Sequence, residues 1–469
     1  MKRAFVALAA ALVVGCVSYH PRPVDLSRQA WRLENRRLDA PAPARYATRF
    51  GVSRWPPQRW TRGDLLLAAL FYSPDIATAR SRLLVTRADE ITARQYPNPQ
   101  LTLGGEYALA AGSAGIAPWL YGVLVRVLLP QTHLRHAQRL QAHFYTQAAG
   151  WQLADSVWSV RSRLRQALLT ARYAEQAGAV LDRQACDAQR LAELLQTQVQ
   201  AGETAAPQAR LAQAQALATA QQRDAMRGRA AAARHNMAAV IGVPVAALPV
   251  LAPIWSDWAS VPAVGEKQLQ SLKTQALLSR ADLARALADY QAAEQALRIE
   301  VDRQYPGVEV EPGYVWDHGV RKLPLELRFN PPIFNQNQGP IAQAKARRAQ
   351  AGARLEAVQA QILAEIAAAR DRSRRAAAIA RRFKQQQLPL AERQLQAARQ
   401  HFDLGESDRS ALLAARIAAE QTRLAALRAD FQAQAARGAL EDALHHPFNE
   451  AEIALTARLT HPTTADASP

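Results

Sequence analysis

The sequence predicts a mainly α-helical chain with membrane β-strands, built from two copies of one unit. Long coiled-coil helices would carry four strands per chain. Three observations lead there. The 469 residues carry only 6% aromatics, and much of the 49% apolar share is Ala, set among dense Arg and Gln. That composition suits long helices packed closely side by side better than one conventional core. Arg94-Gln95-Tyr96-Pro97 recurs 209 residues later as Arg303-Gln304-Tyr305-Pro306, and Ala201-Gly202-Glu203 recurs 203 residues later as Leu404-Gly405-Glu406. Two markers at nearly one offset indicate an internal duplication. Four short segments also alternate apolar and polar residues with period two, as half-buried strands do.

The amino terminus comes first in the chain. Lys2 and Arg3 precede an apolar run from Ala4 to Val14 that is too short to span a bilayer, so residues 1–15 read as a signal peptide. Leu12-Val13-Val14-Gly15-Cys16 resembles a bacterial lipoprotein cleavage site, in which the Cys becomes the acylated first residue. Val17 stands where an Asp commonly signals retention in the inner membrane, which points the chain to the outer membrane. The rival reading is an ordinary secretory signal with an incidental Cys. Residues 16–60 form an N-terminal segment.

The first repeat spans residues 61–241. Within it helix is expected from about Thr61 to Gln95, strands from Gln100 to Leu109 and Trp119 to Leu129, a long helix from Thr132 to Gln200, and another helix from Pro207 to Ile241. The long helix has no Pro and only Gly150 and Gly178, and Leu153, Val157, Val160, Leu164 and Leu168 give it coiled-coil spacing. It would reach about 100 Å, with the two shorter helices stacked end to end along it. Residues 242–265, with four prolines, Trp255 and Trp258, read as a packed connector. The second repeat, residues 266–444, follows the same plan: Glu266 to Gln304, Val308 to Trp316, Lys322 to Phe329, Pro340 to Leu404, and Glu406 to Leu444. Pro389 is expected to kink its long helix. Residues 445–469 read as a tail.

The strands have two opposed faces. Leu101, Leu103, Tyr107 and Leu109 share one face, and Thr102, Gly104 and Glu106 the other. Trp119, Tyr121, Val123, Val125, Val127 and Leu129 oppose Arg126. Val308, Val310, Tyr314 and Trp316 oppose Glu309 and Glu311, and Leu323, Leu325, Leu327 and Phe329 oppose Glu326 and Arg328. Such segments fit membrane strands with a lipid face and a lumen face, although a soluble sheet with one wet face has the same period. Four strands cannot close a membrane barrel, for which the smallest examples need about eight. Membrane strands would therefore require an oligomer, and a trimer supplies twelve.

Charge and chemistry narrow the function. The net charge of +18 is spread as scattered Arg along helices, with no basic block or aromatic-rich stacking segment, which argues against nucleic acid as partner. Cys16 and Cys186 are the only cysteines, too few for a disulfide framework or a thiolate zinc site, and Cys186 reads as a small packed helical residue. There is no phosphate loop and no nucleophile signature, so neither an enzyme nor a cofactor is expected. No metal site is assigned to His133 and His136 or to His445 and His446.

Tyr96-Pro-Asn-Pro99, the duplicated helix-hairpin-helix plan, and the run Asn330-Pro-Pro-Ile-Phe-Asn-Gln-Asn-Gln-Gly339 followed by Ile341-Ala-Gln-Ala344 resemble the TolC family of outer-membrane efflux channels. The pattern at Pro332 to Gly339 is most similar to the CzcC-type branch associated with heavy-metal export. The resemblance covers about Thr61 to Leu444. It implies a homotrimer with a 12-stranded outer-membrane barrel and an α-helical periplasmic tunnel. Such a duct receives cargo, here heavy-metal cations, from an inner-membrane transporter through a periplasmic adaptor protein. Drug efflux and type I secretion use the same architecture. A structural periplasmic coiled-coil lipoprotein is the alternative from another class. The resemblance makes Gly202, Glu203, Gly405, Glu406 and Asp408 adaptor-contacting hairpin tips, and Glu106, Arg126, Glu309, Glu311, Glu326 and Arg328 the barrel lumen. The family's gate carboxylates have no counterpart here, since Ala411 and Ala414 occupy those positions, with Asp408, Arg409 and Arg416 nearby.

Overall fold

The computed structural model describes residues 17–52, 54–58, 60–109, 117–248, 265–449 and 452–453. Cys16, the signal segment, most of the connector and most of the tail lie outside them. The first element of each repeat is a pair of helices where the sequence suggests one. Helices α3 (Arg62–Tyr72) and α4 (Pro74–Arg94) break at Ser73. Pro74 is the cause, because a residue before proline is driven out of the helical region. Helices α7 (Glu266–Ser279) and α8 (Ala281–Asp302) break at Arg280, 207 residues later, with nearly the same extended backbone and no proline. Here the Arg280 guanidinium holds the bend, donating to the carboxylate of Asp282 at 2.7 Å and to the carbonyl of Ala443 at 2.7 Å.

Strands β1 (Gln100–Tyr107) and β2 (Trp119–Leu128) lead into α5 (Thr132–Gln200), an unbroken 69-residue helix, and then α6 (Ala206–Ile241). In the second repeat β3 (Glu309–Asp317) turns tightly through His318 and Gly319, both left-handed, into β4 (Val320–Lys322). The expected fourth strand is split, with β5 (Leu325–Arg328) beginning after Pro324, which has no N–H to give to the ladder. The second rod starts as α9 (Gln338–Arg382), widens into a π-helical turn over Phe383–Gln387, and resumes as α10 (Leu388–Asp403). The kink expected from Pro389 thus takes the form of an inserted π turn, which accommodates a residue that cannot donate. Helix α11 (Arg409–Leu444) returns along it, starting three residues later than the sequence suggests. The N-terminal segment adds α1 (Leu26–Glu34) and α2 (Pro41–Thr48).

Lateral order is the same at every level. The sheet runs β1-β2-β3, with β4 and β5 both pairing β3. Below it α4 packs on α5, α5 on α8 and α8 on α9; lower still α6 packs on α5, α5 on α11, and α11 on α9 and α10. Since α4 leads into β1, β2 into α5, α8 into β3 and β5 into α9, four strands continue into four rods without crossing. The wall is mainly helical, four elements wide, and open along both sides.

Among the described residues the two largest clusters of big buried side chains lie at mid-height, where the extra helices thicken the wall. Leu65, Leu66, Leu70 and Ile76 meet Val160, Leu164, Leu168, Met237 and Ile241. In the second repeat Leu269 and Leu272 meet Ile362, Ile366, Leu440 and Leu444. Each fully buried side chain of this size contributes roughly 1.5–3 kcal/mol. Nearer the tips the seam is Ala188, Ala192, Ala212 and Ala216, small enough to let helix axes approach. Among the described residues no helix is long and apolar enough to cross a membrane, which leaves the sheet untouched as a membrane element.

Candidate functional site

The sheet is the first functional surface. Its register places Arg126 opposite Glu311 across β2 and β3, Glu311 opposite Glu326 and Glu309 opposite Arg328 across β3 and β5, and Gln100 opposite Arg126 across β1 and β2. Period-two geometry then puts all six side chains on one face. Arg126 Nε lies 3.2 Å from Glu311 Oε2 and 3.7 Å from Glu309 Oε2. Arg328 reaches Glu311 at 3.2 Å and Glu326 at 2.9 Å. Glu311, only 2% exposed, is clasped between two guanidiniums. Five of the six charged residues expected on the polar face thus form one cluster. Glu106, opposite Leu120, stands exposed at the other end of β1 and joins none of it. Gln100, which donates nothing to the sequence argument, belongs to the cluster by accepting from Arg126 at 3.3 Å.

The opposite face is apolar and exposed. Leu101, Leu103, Val123, Val127, Leu325 and Leu327 all stand open. Tyr107 packs edge-on against Trp119 at 4.8 Å, and Tyr121 stacks on Trp316 at 6.2 Å, so aromatics collect at the hairpin end. Tyr96, Tyr305 and Phe329 are exposed at the helix end. The seven residue steps from Gln100 to Tyr107 measure about 23 Å, close to the apolar band of membrane barrels with an aromatic girdle at each rim.

The far ends of the rods are two copies of one turn. Gly202 N–H bonds the Val199 carbonyl at 3.1 Å and Glu203 N–H the Gln198 carbonyl at 2.8 Å. Gly405 N–H bonds Phe402 at 3.0 Å and Glu406 N–H bonds His401 at 2.8 Å. Both are Schellman caps, with the glycines at φ 78° and 72°, a conformation that side chains with a Cβ resist. Glu203 and Glu406 are exposed at these turns, Glu406 bonded to His401 Nδ1 at 2.6 Å. Asp408 is the N-cap of α11, its carboxylate accepting from Ala411 N–H at 2.9 Å and Ser410 Oγ at 2.7 Å. Those hydrogen bonds, the backbone one foremost, hold its pKa below the ordinary carboxylate value. Ala411 and Ala414 are exposed just beyond.

A third cluster was not legible in the sequence. At mid-height Arg161 donates to Glu452 and Glu441, each at 2.7 Å, and Arg165 reaches Glu441 at 3.1 Å and Asp442 at 2.9 Å. Arg62 pairs with Glu452 as well. Burial works against the charge on Glu441, yet Arg161 and Arg165 hold its pKa low. His445, left-handed at φ 47°, caps α11 and stacks on Trp158 at 4.9 Å. Burial first, and then Arg280, push its pKa down to about 4. Cys186 is exposed on α5, not packed as its sequence context suggests. Among the described residues no group of three or more His, Cys, Asp or Glu side chains is placed to hold a metal ion.

Solved outer-membrane channels share this architecture. The chain is similar to the outer-membrane channel OprN, with 18% identity and a TM-score of 0.68 over 92% of this chain and 99% of that one. It is similar to the outer membrane protein VceC of Vibrio cholerae, with 19% identity and a TM-score of 0.64 over 83% and 97% of the two chains. CusC, which forms a transmembrane channel, matches at 18% identity and a TM-score of 0.63 over 84% and 96%. Scores this even establish a common fold and single out no branch. No protein-family pattern and no curated protein matches the sequence.

Proposed function

We propose that this chain is the outer-membrane duct of a tripartite efflux system, passing cargo handed on by an inner-membrane transporter and a periplasmic adaptor protein. One observation carries the reading: four strands with an apolar and a charged face stand above four rods in the same lateral order, with both sides open. A wall of this kind becomes a conduit when copies close it into a ring, and three copies supply twelve strands. The exposed Leu211 and Leu217 on α6, and Leu390 and Leu404 on the opposite flank, support closure, since each leaves apolar surface for a neighbour. The duct has no chemistry of its own and is not an enzyme. The tips at Gly202-Glu203 and Gly405-Glu406 would meet the adaptor, and acylated Cys16 would anchor the mature chain in the outer membrane.

Reconstitution into planar bilayers tests the duct. Discrete channel-sized conductance steps are expected, and a heat-stable monomer without conductance refutes it. Single-Cys variants at Leu103 and Leu325 should react with a lipid-confined reagent. Labelling from water alone would instead favour the structural lipoprotein, tethered only by acyl chains. The motif at Pro332 to Gly339 makes heavy-metal ions the first cargo to test, through sensitivity of a deletion strain to zinc, cobalt and cadmium, with drugs as the contrasting arm.

A further inference from the structure

One stretch of the second rod is locally strongly basic. Between Arg370 and Gln387 the rod carries Arg372, Arg374, Arg375, Arg381, Arg382 and Lys384, all exposed, with Asp371 the only exposed acid of that stretch. None of the six forms an ion pair among the described residues, although Lys384 acts electrostatically on Asp430 of α11; some other rod arginines, such as Arg183 with Glu420 and Arg227 with Asp182, are paired. At about 100° per residue, Arg375 and Arg382 lie opposite the buried Ile362, Ile366 and Ala369 stripe. Arg374 and Arg381 flank them on one side and Arg372 on the other. The band therefore covers the half-turn of helix that the chain itself leaves bare, and no single neighbour helix can cover all of it.

The other open side matches it in height. Arg375 and Arg382 lie 28 and 21 residues before Asp403, about 30–40 Å above the tip; Arg229 and Arg234 of α6 lie 23 and 28 residues beyond Ala206, about 35–40 Å above theirs. In a closed ring, α9 and α10 of one copy meet α6 of the next, so the two basic zones meet at one level. Asp371 within the band, Asp430 beside Lys384, Asp224, paired with Arg223 and Arg227, and Glu392, near Arg423, are carboxylates at or bordering these zones. Unpaired guanidiniums lining a closed conduit would focus their field and concentrate counter-ions.

We infer that the assembled duct carries a basic belt at this height that makes it anion-selective. Its cargo is then small multivalent anions, such as oxyanions or metals held in anionic complexes, and not bare metal cations. This rests on the duct reading and fixes the chemical form of what passes. The sheet cluster, with Glu309, Glu311 and Glu326 against Arg126 and Arg328, carries more acid than base and would favour cations, so the two zones make opposite predictions.

The full-length protein in planar bilayers under a KCl gradient decides between them. The expected result is a reversal potential of the sign for chloride, with chloride at least about threefold more permeant than potassium. Inorganic pyrophosphate added on the tip side should lower the wild-type conductance. Arg374→Gln/Arg375→Gln/Arg381→Gln/Arg382→Gln should retain conductance, lose the pyrophosphate effect and shift toward potassium. Conductance with potassium preference in the wild type overturns the belt while leaving the duct intact, and needs no variant to fold. A conducting variant with unchanged selectivity also overturns it. Absence of any conductance overturns the duct itself.

Discussion

At the scale of single residues, the mid-height cluster decides how firmly the two repeats are joined. Arg161 is only 2% exposed and lies on α5, while its partners Glu441 and Glu452 come from the far end of the chain. Replacing it with Met would leave Glu441 to Arg165 and Glu452 to Arg62, with one buried cation fewer, so Arg161→Met should cost about 3 kcal/mol, seen as a fall in thermal midpoint. Gly438 makes a subtler test. A Cβ built there would collide with the Arg165 guanidinium, which cannot swing into solvent without leaving Glu441 and Asp442. Gly438→Ala should therefore destabilise by about 1–3 kcal/mol, although Ala by itself favours helix. His445 supplies the pH dependence. With a folded pKa of about 4 against 6.5 in the unfolded chain, the unfolded state binds the extra proton between those values. Its contribution is present above pH 6.5 and is lost as pH falls toward 4. His445→Gln should make that limb of the curve of thermal midpoint against pH shallower, leaving the contribution of His446, whose pKa burial also lowers, and the acid loss due to Glu441, whose pKa is also depressed.

At the scale of elements, what the sequence discloses depends on whether the determinant is local. Helix α5 matches its expected span end to end, because nothing inside it disfavours helix and Gly202 stops it. The strand faces are legible because period two is a local pattern, and the polar side so read is the one that forms the Arg126-Glu311-Arg328 cluster. The break at Ser73 could have been taken from Pro74. Its counterpart at Arg280 could not, since a contact with Ala443, 163 residues away, sets it. The partners of Arg161 are hidden for the same reason. The tips depend on local backbone, so their variants should act locally. Gly405→Val forces a β-branched residue to φ 72° and should cost about 1–2 kcal/mol. Faster amide exchange confined to residues near the turn is expected, with little change in global thermal midpoint, because the buried core lies far up the rods. Asp408→Ala removes the N-cap of α11 and should add a further loss of about 1 kcal/mol at the same place.

At the scale of the whole molecule, the two open sides constrain how copies can associate. One side presents β1, α4 and α6, and the other β5, α9 and α10, so the surfaces differ and a face-to-face dimer would leave one kind of edge unpaired. Head-to-tail contact instead repeats by rotation until the ring closes, and closure must satisfy the strands and the rods at once. The height match gives this a measurable form. Arg229 and Arg381 lie about 35 Å above their respective tips, counted at the rise of an α-helix, so they should face each other across each seam. In a Cys186→Ser background, which removes the exposed thiol on α5, Arg229→Cys/Arg381→Cys treated with a short bifunctional maleimide should give a ladder of one, two and three chains and nothing larger. Arg229→Cys/Leu404→Cys, which pairs mid-height with tip, should give no ladder. A ladder that stops at two would mean a symmetric dimer, one that runs past three would mean a larger ring or a filament, and equal yields from both pairs would show that the rods do not pack in this register.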